Sequence, residues 1–367
     1  MVAIGSTSIL RALGAAALGA LGAASTDDTV DLRVTVGNTK LDGEAAASLL
    51  DVSVAKTIGE AAQLTLRVAA WDSDAEELRW VDDELFAPGA AIEVELGYLG
   101  RRAKVFSGDI VSLSLEASTT DRAVLTITAY DVLHRLGRGQ RTDLYKDKTY
   151  AGIVRDVAQR IYRLEADAPD RPELDQEHKA VHQRNQSDLA FLLERAAEID
   201  HELLARGATL VFRKSRRGDP PELTLDASRD LIQLSAHLSA ASQLGGVDVK
   251  ILSSETKEHL LIGEDNAGAE DRAYRTGATR TVIVEDPLAT QDQARARARA
   301  ELARMRDGYL DATGTALGRP DLEAGMMIQI DGLGTRFGGA YHVTSVTHSL
   351  SAGSGLRTSF SLKGQPR

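Results

Sequence analysis

Hydrophobic and polar residues alternate in several short stretches of the first 140 residues. The alternation is clearest in four places, Leu32–Val36, Leu64–Val68, Ile92–Leu96 and Leu125–Ala129. A period of two places one face of a strand in a core and the other in solvent or against a partner. Several such strands joined by Gly- and Asp-containing turns predict an antiparallel barrel or sandwich over residues 30–140. A short helix is predicted near its end, at Asp131–Leu136.

The apolar spacing becomes helical after about residue 141. Thr149 is placed to cap a helix whose apolar residues include Ile153 and Val157. Ser187 is placed to cap a second helix, in which Leu192 and its neighbours form one apolar face. The mixture of helices with the strands that follow predicts an α+β insertion domain.

The rest of this insertion, which we expect to span residues 141–238, is less regular. Residues 163–180 are acidic and contain two prolines, so we expect a loop there. Residues 208–212 are expected to form a strand, and a basic turn separates them from Leu223–Leu225. The two segments are therefore expected to pair as a hairpin.

Strand patterns return in the last third of the chain, and we expect a second β-rich domain over residues 239–367. An Ala-rich stretch at 289–306 has high helix propensity and predicts one helix inside it. Val247–Ile251 alternates again, and the other strand-like stretches are Thr281–Val284, Met327–Ile330, Tyr341–Val346 and Arg357–Leu362. The predicted fold class is therefore mainly β with an α+β insertion. We expect two similar antiparallel β-barrels to flank this insertion.

The first 29 residues are expected to form a separate small-residue arm. Residues 9–24 have the length of a signal-peptide core, but Arg11 interrupts them and no basic region precedes them. The stretch is also short and rich in Gly and Ala for a membrane span, so no stable membrane insertion is expected. An arm that packs on a neighbouring subunit is the favoured interpretation, with an export signal as the alternative.

Composition narrows the possible functions. The chain has 367 residues and no cysteine, which excludes disulfides, thiolate metal sites and a cysteine nucleophile. Its net charge of −11 disfavours nucleic-acid binding, because phosphates would be repelled. Arg295, Arg297 and Arg299 lie in the predicted helix, where solvated or inter-subunit salt bridges are favoured over nucleic-acid contact.

The sequence offers little support for catalysis. The sequence contains no GxSxG, Walker or HExxH motif. His178 and His182 have the spacing of metal ligands on a helix, but the prolines upstream make a helix doubtful there. His342 and His348 are expected to be ordinary polar strand-edge residues. We therefore expect a protein that is not an enzyme and has no catalytic residue, metal or cofactor.

Three stretches together resemble one family of phage proteins: residues 106–140, residues 149–160 with 182–213, and residues 318–364. This combination is similar to the late control protein D family of contractile phages, itself similar to the hub half of type VI secretion spike proteins. Gln186 departs from the family pattern, where an acidic residue is usual. The motif residues, which are expected to be structural, are Gln183, Asn185, Ser187, Asp188, Phe191, Gly339, Tyr341 and His348.

The resemblance implies a structural hub of a phage tail or contractile injection system. Such a hub is a homotrimer whose two barrels per chain present six units to the tail tube, above a threefold spike. Its expected partners are the tail tube protein, other baseplate proteins and, because the chain ends soon after its last strand, a separate spike protein. Assembly in the bacterial cytoplasm and then residence in the particle are expected. The alternatives are a tail-associated cell-wall hydrolase and a secreted β-rich adhesin.

Overall fold

A computed structural model shows that the chain is mainly β. It describes residues 29–72, 75–118, 123–241, 245–252, 259–266, 280–284 and 290–364. The predicted N-terminal arm, apart from Thr29, lies outside the described residues. The strands are β1 (Val30–Val36), β2 (Thr39–Lys40), β3 (Leu49–Thr57), β4 (Gln63–Ala69), β5 (Trp71–Asp72), β6 (Glu77–Leu78), β7 (Ala91–Tyr98), β8 (Arg101–Glu116), β9 (Val124–Tyr130), β10 (Arg141–Lys148), β11 (Glu165–Asp167), β12 (His178–Gln186), β13 (His201–Arg206), β14 (Thr209–Lys214), β15 (Leu223–Asp226), β16 (Leu231–Leu238), β17 (Gly246–Leu252), β18 (His259–Asp265), β19 (Arg280–Val284), β20 (Leu310–Leu317), β21 (Met327–Asp331), β22 (Gly339–Ser351) and β23 (Gly355–Gly364).

Short helices connect these strands. They are α1 (Gly43–Ala47), a 3₁₀ turn (Glu84–Phe86), α2 (Leu133–Leu136), α3 (Tyr150–Asp156) continuing as a π-helix (Val157–Tyr162), α4 (Asp188–Glu198), α5 (Gln291–Asp307) and α6 (Gly334–Phe337). The predicted caps are confirmed, because Thr149 Oγ1 accepts from Gly152 N and Ser187 Oγ accepts from Ala190 N. The Ala-rich stretch is also helical, as predicted, and begins in a capping box formed by Thr290 and Gln293.

Six strands of the first β-rich region form one antiparallel row in the order β3, β4, β9, β8, β7, β1. All four stretches that alternate in this part of the sequence are strands of the row, as predicted. Val34 of β1 and Val52 of β3 lie at opposite ends of the row yet belong to the same buried cluster. The row therefore encloses its core on more than one side. Residues 37–48 connect these two end strands along the chain.

Six strands of the last β-rich region form a second row in the order β16, β20, β23, β22, β21, β15. Numbered by their order along the chain, the strands of both rows follow the same arrangement: second, third, sixth, fifth, fourth, first. The rows differ in one pairing, since β15 runs parallel to β21 whereas β1 runs antiparallel to β7. Residues 227–230 connect the two end strands of the second row.

Strand β22 joins the two rows into one sheet. Its second half, Ser345–Ser351, pairs with Asp51–Thr57 of β3, while its first half pairs with β21. Its opposite edge pairs with β23 along most of its length. Within the described residues, hydrogen bonds do not close either row into a barrel. The two-barrel architecture therefore stays a prediction.

The α+β insertion lies between β9 and β15. Its core contains apolar residues from α3, α4, β13 and β14, including Phe191 and Leu203. The expected loop is wrong at Glu165–Asp167, which pairs in parallel with β14 because that strand's edge is available. The expected hairpin is also wrong: β14 pairs with β13, and Leu223–Leu225 instead begins β15, which joins the second row.

A smaller α/β unit follows β16. Strands β18, β17 and β19 form a three-stranded sheet, and Val247 and Val249 of β17 pack with Ala294 and Ala298 of α5. The alanines let the helix approach the sheet closely. The proposed domain boundaries, at residues 30, 141 and 239, stay predictions.

Candidate functional site

The first family motif forms a buried polar network at the start of α4. Gln183 and Asp188 are both buried, and Gln183 Nε2 donates to Asp188 Oδ1 at 2.8 Å and to the carbonyl of Gln186 at 3.1 Å. Tyr162 donates its hydroxyl proton to Asp188 Oδ2 at 2.6 Å. Asp188 also lies in the first turn of α4, where a carboxylate complements the helix dipole. The network therefore fixes how strand β12 turns into the helix.

Asn185 lies at the bend of this turn. Its φ is +50°, a left-handed conformation that Asn tolerates better than most residues. The register between β10 and β12 shifts at the same point, between Arg141 and Asp143. Asn185 thus provides the backbone conformation of a bulge while its side chain is exposed.

Phe191 anchors the same helix to the insertion core. Its ring is fully buried and stacks on Tyr145, with centroids 5.6 Å apart. Burial raises the pKa of Tyr145 to about 12, helped by the charges of Asp143 and Asp188. The phenol is therefore neutral at every physiological pH, which suits a packing role.

The second family motif lies on β22. Gly339 is buried with a φ of +148°, in the region that favours glycine. Tyr341 is buried and donates its hydroxyl proton to the carbonyl of Phe337, the last residue of α6. These contacts hold the turn between β21 and β22 against the second core.

Both histidines of β22 are buried, so the expectation of ordinary strand-edge residues is wrong. His348 is 0% exposed and His342 is 1% exposed, because β22 has neighbouring strands on both sides. His348 Nδ1 lies 3.1 Å from Thr358 Oγ1, and it pairs in register with Val54 of β3, where the two rows join. Burial and the charge of Lys56 lower its pKa to about 4, so it is neutral near pH 7.

His342 belongs to a buried ionic joint, formed with Glu202, Arg213 and Ser215, that connects the insertion to the second row. Glu202 of β13 is 3% exposed, and its Oε1 lies 3.0 Å from His342 Nε2 and accepts from Ser215 Oγ at 2.8 Å. Arg213 donates to Glu202 Oε2 at 3.4 Å and to the carbonyl of Gly325 at 3.1 Å. Burial alone would raise the pKa of Glu202, but its interactions with His342, Ser215 and Arg213 lower it below its usual range.

A second ionic joint connects the insertion to the small α/β unit. Arg217 Nη1 lies 2.6 Å from Asp200 Oδ1, and its Nε donates to Asp307, the last residue of α5. All three groups are largely buried. Separating Arg217 from either carboxylate would leave a buried charge uncompensated. The joint therefore fixes the orientation of the insertion relative to the small α/β unit.

Sequence patterns did not predict these joints. Arg213 is one of several basic residues in the predicted turn after residue 212, and His342, the partner of Glu202, lies far along the chain. In the sequence, such a joint is indicated by a charged residue next to apolar residues, as Glu202 lies immediately before Leu203. That feature identifies a buried charge without identifying its partner.

The histidines with helical metal spacing lie on β12, a strand, rather than on a helix. Across the described ranges, no group of three or more His, Cys, Asp or Glu side chains is arranged to hold a metal ion. No helix in the described part of the chain has the length and apolar character that a membrane span requires. The arrangement as a whole fixes the relative positions of four packed units.

Residues 26–352 match the family model of the Alg8 N-terminal domain. The chain belongs to the Alg8 N-terminal domain family. Comparison of this family member with curated protein sequences finds no match.

Several solved structures share the fold of this Alg8 N-terminal domain family member. The 43 kDa tail protein of prophage MuSo2 from Shewanella oneidensis has a TM-score of 0.68 at 12% identity, over 91% of this chain and 98% of that one. The tail protein from Neisseria meningitidis MC58 has a TM-score of 0.67 at 15% identity, over 91% and 96%.

A third similar structure is the E. coli c3393 protein. It is a component of the type VI secretion system with structural similarity to T4 bacteriophage tail proteins gp27 and gp5. Its TM-score is 0.58 at 14% identity, over 92% of this chain and 79% of that one. At such low identities these likenesses show the fold alone, which is that of tail proteins. They do not single out the late control protein D family, so that resemblance stays a prediction.

Proposed function

We propose that this chain is a non-enzymatic structural hub that adapts a sixfold tail tube to a threefold spike in a phage tail or contractile injection system. The observation that carries the proposal is the repeated strand order of the two rows. One chain then holds two units of one type, and three chains hold six. A homotrimer is the smallest assembly that meets both symmetries.

Closure of each row into a tube-like barrel is part of the proposal. In both rows the two end strands are the first and second strands of the row along the chain, and both contribute to one enclosed core. Short connections of this kind bring the ends of a row together. The similarity to tail-protein folds supports the same architecture.

The insertion has a mechanical role in this proposal. The buried joint around Glu202 links it to the second row, and a half-exposed ion pair of Lys56 in β3 with Glu323, at 3.2 Å, lies between the two rows. A hub under axial load needs its units held at fixed angles, and buried ionic joints resist sliding because separation exposes unpaired charges. In this proposal the eight motif residues have structural roles in the same architecture.

The proposed partners follow from this role. They are the tail tube protein, a separate spike protein and other baseplate proteins, with assembly in the bacterial cytoplasm before incorporation in the particle. No nucleic acid, cofactor or stable membrane contact is proposed.

Native mass spectrometry of the full chain and electron cryomicroscopy of the particle test the proposal. The expected result is a trimer with six barrel-like units arranged around one axis. A chain that stays monomeric and never joins a particle containing tube and spike proteins would refute the hub. Zymography on peptidoglycan tests the hydrolase alternative, and lysis by the purified chain would contradict a non-enzymatic role.

A further inference from the structure

Strand β12 has one open edge. It pairs with β10 along one side, from Arg141 opposite Gln186 to Lys148 opposite His178. The two strands form a sheet of their own, and among the described residues no further strand pairs with β12. An open edge presents backbone N–H and C=O groups in a row, which is a template for another extended chain.

The open edge faces a groove of about 470 Å³ between β12, α4 and α5. Consecutive residues of β12, from His178 to His182, line it. Successive side chains of a strand point to opposite faces, so a cavity lined by consecutive residues runs along a strand edge. The groove therefore gives an extended peptide access to the backbone of β12.

Side-chain contacts limit the groove at its two ends. Gln293 at the start of α5 donates to the carbonyl of Glu177 at 3.2 Å. Gln186 donates to Glu194 of α4 at 3.2 Å. The segment between these contacts, residues 179–184, spans roughly 20 Å at the usual rise per residue of a strand. That length accommodates about six residues of an added strand.

The charge of the groove is opposite to that of the chain. Six Lys or Arg residues and four Asp or Glu residues line it, whereas the whole chain has 43 basic and 54 acidic residues. Arg295 and Arg299 of α5 pair with Asp292 and Glu264, yet their side chains remain 45% and 66% exposed beside the groove. An acidic ligand therefore gains attraction in the groove that it would not find on the rest of the surface.

We propose that an extended acidic segment of another protein docks in this groove by adding a strand to the open edge of β12. Main-chain hydrogen bonds provide affinity in such complexes, and flanking pockets and charges provide specificity. Nucleic acid fits less well, because a phosphate backbone cannot pair with a strand edge. The proposal rests on the proposed function only for the source of the segment, a neighbouring protein of the particle.

Synthetic peptides test the binding mode on the purified full chain. The first probe is a peptide of about eight residues alternating Val or Thr with Glu. The second replaces Glu with Lys, and the third carries N-methyl groups on alternate amides, which removes its pairing edge. We expect the acidic probe to bind at least roughly tenfold more tightly than both others. We also expect hydrogen exchange of β12 amides to slow when the acidic probe binds.

Equal binding of the acidic and N-methylated probes would overturn strand addition, and so would unchanged exchange at β12. Tighter binding of a single-stranded oligonucleotide than of the acidic probe would overturn the peptide assignment. The variant Arg295→Glu with Arg299→Glu should weaken the acidic probe about tenfold. The matched control, Arg101→Glu with Arg336→Glu, reverses two exposed charges outside the groove and should bind as the wild type does.

A particle experiment separates failure of this inference from failure of the proposed function. The chain lacks cysteine, so Arg184→Cys provides one site for a thiol-reactive crosslinker. A chain absent from the particle contradicts the hub, while the peptide measurements still decide the groove. An incorporated chain that crosslinks to an acidic segment of a neighbour supports the inference. An incorporated chain whose β12 amides exchange as in the free chain overturns it.

Discussion

Asp131 gives the sharpest stability prediction, because its carboxyl group is buried directly after the last strand of the first row. Burial raises its pKa from 3.8 to about 6, although amide hydrogen bonds and the charge of Lys56 oppose the shift. The amide of Leu133, the first residue of α2, donates to Asp131 Oδ1 at 2.9 Å, so the side chain holds the start of that helix. We expect Asp131→Asn to stabilise the protein at pH 7, because an Asn carbonyl accepts the same bond without a buried charge.

The magnitude follows from the shift in pKa. Raising the folded-state pKa means that the folded protein binds the proton more tightly than the unfolded chain does. The stabilisation is complete below about pH 3.8 and is lost as the pH rises to about 6. A shift of about two units corresponds to about 3 kcal/mol at pH 7. We expect the variant to recover about 1 to 3 kcal/mol, and its stability to vary less between pH 4 and 6.

Tryptophan fluorescence during urea unfolding measures this change locally. The chain has two tryptophans, Trp71 and Trp80, and Trp80 packs edge-on against Phe86 in the first core. The signal therefore reports the unit that Asp131 adjoins. Asp42→Asn, at an exposed position, should stay within about 0.5 kcal/mol of the wild type. A lower or unchanged midpoint for Asp131→Asn at pH 7, or an unchanged pH dependence, would refute the reasoning.

Three further changes test the insertion and its joint. Phe191→Ala should lower the free energy of unfolding by about 3 to 5 kcal/mol by opening a cavity beside α4, measured by circular dichroism in urea. Gly325→Ala should cost about 1 to 3 kcal/mol, because its φ is +83° and an added Cβ would lie 2.6 Å from Arg213; wild-type stability would contradict the close approach. Glu202→Gln should cost about 3 kcal/mol at pH 7. Because the lowered pKa of Glu202 adds stability that disappears as the pH falls below about 4.3, the variant should approach the wild type in acid, and a constant difference would contradict the joint with His342.

The sequence predicted features that depend on neighbouring residues. Strand alternation and the caps at Thr149 and Ser187 are local, so each was correct at nearly the right residues. Pairings between distant segments were missed. Leu223–Leu225 alternates as any strand does, and only the exposed edge of β21 decides its parallel partner. The buried state of His342 was missed for the same reason, because its neighbours come from segments far apart in the sequence.

The two rows share a strand order without a visible sequence repeat, and the physical reason is that burial constrains apolar character rather than residue identity. The units inserted in the sequence of each row do not correspond in this way. The α+β insertion follows the sixth strand of the first row, whereas the small α/β unit separates the second and third strands of the second row. In a trimer the rows would therefore present six similar surfaces, while each insertion would occur only three times. In the proposed trimer such a chain would match a sixfold neighbour through its rows and a threefold neighbour through its insertions, and the open edge of β12 would lie among the threefold elements.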